Sequence, residues 1–422
     1  MEPGFSRSQK IACLSGLFLA WAVGYADRIL MSVAIIPISH ELALDARQAG
    51  MLLSAFYVSY ALMQLAAGWL SDRYGSRIVV VLCIVMWSVF TSATSLAWSF
   101  ASLLVIRFLF GIGEGSFSPA SSVTVAEVFP KSERARAKSF LISTVFLGNA
   151  AGAGLIGATV AYLGWRGSFH ILSAAGFAVA LVLWLALRGG ITAQRERAAN
   201  RPQHPWGSLL RSSMAWKLTA IWSFTSLLYV GVQSWMPSYL MKTYGIGLEQ
   251  VGLATMIPNL IAFAGTNLVG LLLDKHGKGR ERMFMVLGAF FSALFLALMM
   301  TTTTIYLLLI YWTLLLLAFN FVYATVFAAP LRHFPEHLIG SATGLMNFGG
   351  QIGGSIAPVA MGALIAATGD SYLAAFCLLL ASAITSAVIA TTWRPAGDPV
   401  VTLQLAGAEL HPFSSDGALR VP

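Results

Sequence analysis

The sequence predicts an all-α membrane protein of twelve transmembrane helices arranged as two six-helix halves. Three observations lead there. Hydrophobic residues make up 57% of the 422 and charged residues only 10%, against roughly 25% charged in a soluble domain. Apolar runs of about 20 residues, the length that crosses a hydrocarbon core about 30 Å thick, recur twelve times along the chain. Two polar signatures then repeat at nearly one offset. A surface this poor in charge excludes a soluble enzyme, and Cys13, Cys83 and Cys377 lie singly in apolar runs, which suits neither a metal site nor a disulfide scaffold. The runs are continuously apolar, without the alternation of barrel strands.

The first span, 11–36, is too long for the apolar core of a signal peptide and lacks a cleavage site. It carries Tyr25, Asp27 and Arg28. Span 2, 49–70, presents Tyr57, Tyr60 and Gln64 as an i, i+3, i+7 stripe. Span 3 covers 78–97, and span 4, 101–123, carries Arg107 and Glu114. Spans 5 and 6, 138–161 and 167–187, are separated by Gly164-Trp165-Arg166. The polar, Arg-rich stretch 188–215 with Pro202 and Pro205 reads as a flexible linker between halves 1–187 and 216–395. Span 7, 216–241, places Tyr229 and Gln233 on one face, and span 8 covers 250–273. Spans 9 and 10, 283–300 and 303–327, bring Asn320 and Tyr323. Span 11, 340–365, brings Asn347 and Gln351 among closely spaced glycines, and span 12 covers 371–392. The polar tail 396–422 is expected to be disordered.

Lys and Arg fix the expected orientation. With the N-terminus in the cytoplasm, 21 of the 26 lie on that side, three (Arg47, Arg166, Lys242) on the other, and Arg28 and Arg107 within spans. The bias puts both termini in the cytoplasm of a multi-pass protein, with the bacterial inner membrane as the expected site. The basic balance therefore reports orientation and contact with lipid, and calls for no nucleic acid.

Gly68-Trp-Leu-Ser-Asp72-Arg73-Tyr-Gly75-Ser-Arg77 after span 2 is echoed by Gly270-Leu-Leu-Leu-Asp274-Lys275-His-Gly277 after span 8, and Phe129-Pro130 after span 4 by Phe334-Pro335 after span 10. Two echoes in register mark duplicated halves, as secondary transporters have. Gly75 suits a tight turn, while Asp72, Arg73, Asp274 and Lys275 are expected to latch the halves in one state.

On these residues the chain resembles the major facilitator superfamily, whose loop pattern is G-x-x-x-D-(R/K)-x-G-x-(R/K), along nearly its whole length. Tyr25-Ala-Asp27-Arg28, Arg107-x6-Glu114-Gly115, Gly164-Trp165-Arg166 and Trp235-Met-Pro237 resemble the anion:cation symporter family within it. Gly152 is followed by Ala153, where drug antiporters of the superfamily would carry Gly-Pro. The resemblance implies alternating access, Arg28 as the clamp for a substrate carboxylate, and Asp27 with Glu114 as protonation sites.

The residues alone point to the same place. Asp27, Arg28, Arg107 and Glu114 are the four charges well inside spans, each costing about 2.5–3.5 kcal/mol on insertion scales unless partnered or solvated. At 1.5 Å per residue Arg28 and Arg107 fall at matching depth, so both guanidiniums are placed to close on one carboxylate. Glu114, seven residues on, shares the Arg107 face, and Arg107 either binds substrate or partners Glu114. A pair of buried salt bridges that only fixes helix packing is the plainer alternative. Tyr25, Tyr57, Tyr60, Gln64, Tyr229, Gln233, Asn320, Tyr323, Asn347 and Gln351 complete the candidate pocket, although such amides also serve as interhelical glue. No nucleophile–base set or metal cluster stands out, so neither enzyme activity nor a cofactor is expected. The expected partner is a small anionic solute such as a sugar acid, the coupling ion H+, and the protein a monomer.

Overall fold

A computed structural model describes residues 6–130, 133, 137, 140, 141, 144–187, 206–277, 279–334 and 336–394. Thirteen helices follow one another among them: α1 (Arg7–Glu41), α2 (Ala46–Tyr74), α3 (Ser76–Ser95), α4 (Phe100–Gly115), α5 (Phe117–Val128), α6 (Thr144–Ala186), α7 (Trp206–Arg211), α8 (Ser213–Tyr244), α9 (Leu248–His276), α10 (Glu281–Thr301), α11 (Ile305–His333), α12 (Glu336–Ala367) and α13 (Leu373–Thr392). In membranes the backbone must satisfy its own hydrogen bonds, which is why long apolar runs become helices. Nine stretches among the described residues are long and apolar enough to cross a bilayer. One of them, α6, contains spans 5 and 6 joined at Gly164, whose φ of +69° turns the chain. The less apolar α2 and α8 match the two remaining expected crossings; Ser54, Ser59 and Tyr60 of α2 and Ser226, Gln233, Ser234 and Tyr239 of α8 are buried in the protein interior.

Three details depart from the expectations. Span 4 is not one helix: it breaks at Ser116 into α4 and α5. Pro119 has no N–H to give the Gly115 carbonyl, so the ladder is interrupted directly after Glu114. The stretch 188–215 is not all linker, because α7 forms within it, its Leu209 fully buried, and α8 starts at Ser213. Span 1 extends well beyond 11–36, with Ser6 and Gln9 closing a capping box at its start. Residues 188–205 and the tail from 395 lie outside the described residues.

Helices α1–α6 pack on one another, as do α8–α13, and the two sets meet where α2 touches α12, α6 touches α9 and α1 touches α8. The contact is uneven along the helices. Ile29–Ile38 of α1 and Leu52 and Leu53 of α2 share one core with α8–α13. Toward the Arg7 end, Cys13, Leu17, Val80, Trp87, Phe117 and Leu183 form a separate core with members from α1–α6 alone. The halves are thus closed on each other at the Glu41 end. There Gly157 of α6 lies against Gly252 of α9: a Cβ on Gly157 would sit 2.9 Å from the Gly252 Cα and 2.8 Å from the Leu248 carbonyl oxygen. Both obstacles are backbone. Gly157→Val is expected to cost about 1–3 kcal/mol of overpacking, read as a lower melting temperature of purified protein. Gly154→Ala, whose methyl meets the movable end of Met256, should be milder.

Each half is also clasped internally, and the clasps repeat. At the Glu41 end, Arg166 pairs with Glu41 at 2.6 Å in one half and Lys242 with Asp370 at 2.5 Å in the other. At the opposite end, Ser76 donates to Glu127 at 2.5 Å, while Arg332 pairs with Glu281 at 3.0 Å. In both cases the acid changes sides between the halves. The exposed pairs at the Glu41 end are worth about 0–1 kcal/mol each, but all four contacts mark the repeat in three dimensions.

Candidate functional site

Asp27 and Arg28 are consecutive, so on a helix they point about 100° apart; α1 turns Asp27 toward α3 and α4 and Arg28 toward α2 and α4. Arg107 Nη1 and Nη2 donate to one oxygen of Asp27 at 2.9 and 3.0 Å, and Thr91 of α3 donates to the other at 2.6 Å. Arg28 Nη2 donates to Glu114 Oε1 at 2.6 Å. All four side chains face the protein interior rather than lipid.

The pairing corrects the sequence reading once. Arg107 partners Asp27 instead of Glu114, and Glu114 pairs with Arg28. Matching depth brought the right helices together, but helix rotation decided the partners. The result is two crossed ion pairs between α1 and α4 with no net charge, which is how four charges tolerate burial.

The pairs differ in what surrounds them. Side-chain exposure is 2% for both members of Arg107–Asp27 but 17% for Arg28. Arg28 is sheathed by rings, its guanidinium carbon 4.8–5.0 Å from the centroids of Tyr25, Phe56 and Tyr60, a favourable placement of a cation on π faces. Tyr60 is buried beside Arg28, and Gln64, one turn further along α2, is half-buried. Arg28 Nε and Glu114 Oε2 are buried without a hydrogen-bond partner among the described residues. Arg28 and Arg107 also line a small void with Ser32, Tyr57, Phe110 and Ser234.

Helices α8–α13 contribute rings and amides. Tyr229 stacks on Phe319 at 4.5 Å, and Trp222 lies 5.4 Å from Tyr323 and 5.1 Å from Phe327. Tyr229 lies edge-on to Phe146 of α6 at 6.3 Å, across the boundary between the halves. Gln233 donates to Asn259, and Asn320 donates to the Ala262 carbonyl, so these two amides also act as glue. Asn347 and Gln351 are half-buried on the α12 face that carries Gly354, which meets Tyr57. Gly75 begins α3 with φ +86°, as a tight turn requires. Arg73 and Lys275 are exposed, whereas the side chains of Asp72 and Asp274, and Gly68, lie outside what is described.

Three functional-looking residues escaped the sequence reading. Asn149 of α6 donates to the Tyr229 hydroxyl at 2.9 Å, joining the halves. Asn149 and Asn259 are amides in apolar runs and carry the signal that singled out Asn320. Thr91 carries none, since a threonine inside a membrane helix commonly bonds its own backbone.

Residues 16–358 match the Major Facilitator Superfamily. A probable sulfoacetate transporter of Cupriavidus necator is 30% identical over 85% of this chain and 87% of its own length. A hexuronate transporter of Bacillus subtilis is 29% identical, covering 89% and 92%, and a probable L-galactonate transporter of Escherichia coli is 27% identical, covering 91% and 89%. Among solved structures, a bacterial homolog of the human lysosomal transporter Spinster, inward-facing and occupied, superposes with a TM-score of 0.77 at 20% identity over 92% of this chain and 96% of that one. The likeness in fold, the repeated halves and the match over most of the length agree: this chain is a membrane transporter, not an enzyme, and belongs to the Major Facilitator Superfamily.

Proposed function

We propose that this protein imports a small organic anion together with protons, by alternating access between α1–α6 and α8–α13. The observation that carries the reading is the Arg28–Glu114 pair, half of it reachable from the space between the halves and each member retaining an unused polar atom. A proton on Glu114 removes the charge that holds Arg28 and leaves a buried guanidinium in need of an anion. Proton and anion therefore favour each other's binding, and by linkage the coupling is reciprocal. Asp27 would serve as a second protonation site, with Arg107 as its counter-ion. The named relatives handle carboxylates and a sulfonate, which one guanidinium fork suits. With the termini in the cytoplasm, as the Lys and Arg bias implies, closure at the Glu41 end makes this the inward-facing arrangement.

The rival of the same fold is an exchanger of two anions. Reconstituted into liposomes with an inward proton gradient, the protein should accumulate its anion above the external concentration. A protonophore should abolish that accumulation, whereas exchange that persists undiminished would favour the rival.

A further inference from the structure

Where α2 meets α12 at the Glu41 end, the contact is largely backbone, and a hydrogen bond crosses it at an incomplete helix ladder. α12 carries Pro358 in its interior, which has no N–H to give the Gly354 carbonyl. Trp235 of α8 donates its indole N–H to the Pro358 carbonyl at 3.1 Å, fixing this turn within its own half. The next amide reaches into the other half: the Val359 N–H donates to Ser54 Oγ of α2 at 2.9 Å. Glycines allow the approach. A Cβ on Gly50 would sit 2.5 Å from the Pro358 carbonyl oxygen and 3.1 Å from the Val359 Cα, and one on Gly362 would meet the Ala46 carbonyl oxygen. Ser54 is buried, and Ala49 and Leu53 beside it belong to the core that the halves share.

We propose that the Ser54–Val359 bond is an exchangeable latch: it holds the halves shut at the Glu41 end and is traded for a bond within α12 when they part. In a regular helix the Val359 N–H goes to the Ser355 carbonyl, four residues back. The amide thus has a partner in either state, while the Ser54 hydroxyl turns to water on opening. An amide stranded without a partner would make the closed state costly to leave; one that changes partner supplies only a small bias, which suits a carrier that reopens after each turnover. The latch rests on the alternating-access reading above and is independent of the cargo.

Site-resolved thiol labelling tests this. Ala49→Cys, buried in the closed contact, reports opening to a membrane-impermeant maleimide added to intact cells, with the exposed Cys377 replaced by serine. The labelling rate, read by mass spectrometry, follows the open fraction. Ser54→Ala should raise it about three- to tenfold, the worth of one neutral hydrogen bond. Cys13 and Cys83, in the separate core of α1–α6, should stay unlabelled. Gly50→Val, whose side chain would meet the α12 backbone, should raise the rate further by wedging the contact. An unchanged rate in Ser54→Ala beside a faster one in Gly50→Val overturns the latch and leaves alternating access standing. A rise in Ser54→Ala accompanied by labelling of Cys83 would be general loosening and overturns the latch as well. Absence of labelling at position 49 in every variant would count against opening at this end, and the latch would fall with the alternating-access reading.

Discussion

Arg28→Ala is expected to abolish anion binding while leaving a folded protein. The guanidinium is the more exposed of the two arginines that line the void, at 17% against 2% for Arg107, and truncating one partner of a buried charge pair costs about 2–5 kcal/mol. At 1.4 kcal/mol per decade that is a loss of about thirtyfold to several thousandfold in affinity. Its ring sheath of Tyr25, Phe56 and Tyr60 can close on the vacated space, so the fold has a way to absorb the change. Calorimetry with the bound anion and a melting curve read the two effects separately. Arg28→Lys should recover part of the affinity, because charge is restored but the planar fork is not. Arg107→Ala should behave differently: it leaves Asp27 buried with Thr91 alone, and its main effect should be a lower melting temperature. Wild-type affinity in Arg28→Ala would remove the clamp from the mechanism.

Glu114→Gln is expected to separate binding from coupling. The amide keeps the size of the acid and resembles its protonated form, so Arg28 is permanently released and the anion can bind at any pH. Counterflow, in which labelled and unlabelled anion exchange at equilibrium, should persist. Proton-driven accumulation should fall to the level of passive equilibration. In wild-type protein anion affinity should rise as pH falls, since protonation of Glu114 and anion binding are linked; in Glu114→Gln most of that dependence should be gone. Uphill accumulation retained by the variant would transfer coupling to Asp27 or to another group.

The fold was largely legible because lipid is a severe reader of sequence. Every crossing has to present about 20 apolar residues, and those runs survive inspection without any alignment. The interruption after Glu114 was less visible: Pro119 was in plain sight, but a proline in a membrane helix is tolerated often enough to be ambiguous. Within the site, which residues would be buried followed from their cost in hydrocarbon, so Asp27, Arg28, Arg107 and Glu114 could be named at once. Which would pair with which could not. A rotation of one helix by a quarter turn changes every partner while leaving depth untouched, and depth is all that counting residues supplies. Thr91 is the clearest omission, for it became significant only when α3 was placed beside Asp27. Asn149 was readable by the rule that found Asn320, and its contact with Tyr229 needed both halves in view.

The clasps at the two ends of the bundle bear on how such a duplicated architecture drifts. Glu41–Arg166 corresponds to Lys242–Asp370, and Ser76–Glu127 to Glu281–Arg332, with polarity inverted each time. A tether of fixed geometry and reversible sign cannot flip in one substitution without setting like charges face to face. The safe route passes through a neutral partner. Ancestry would then be easier to trace in the spacing of these tethers than in the identity of the residues that make them.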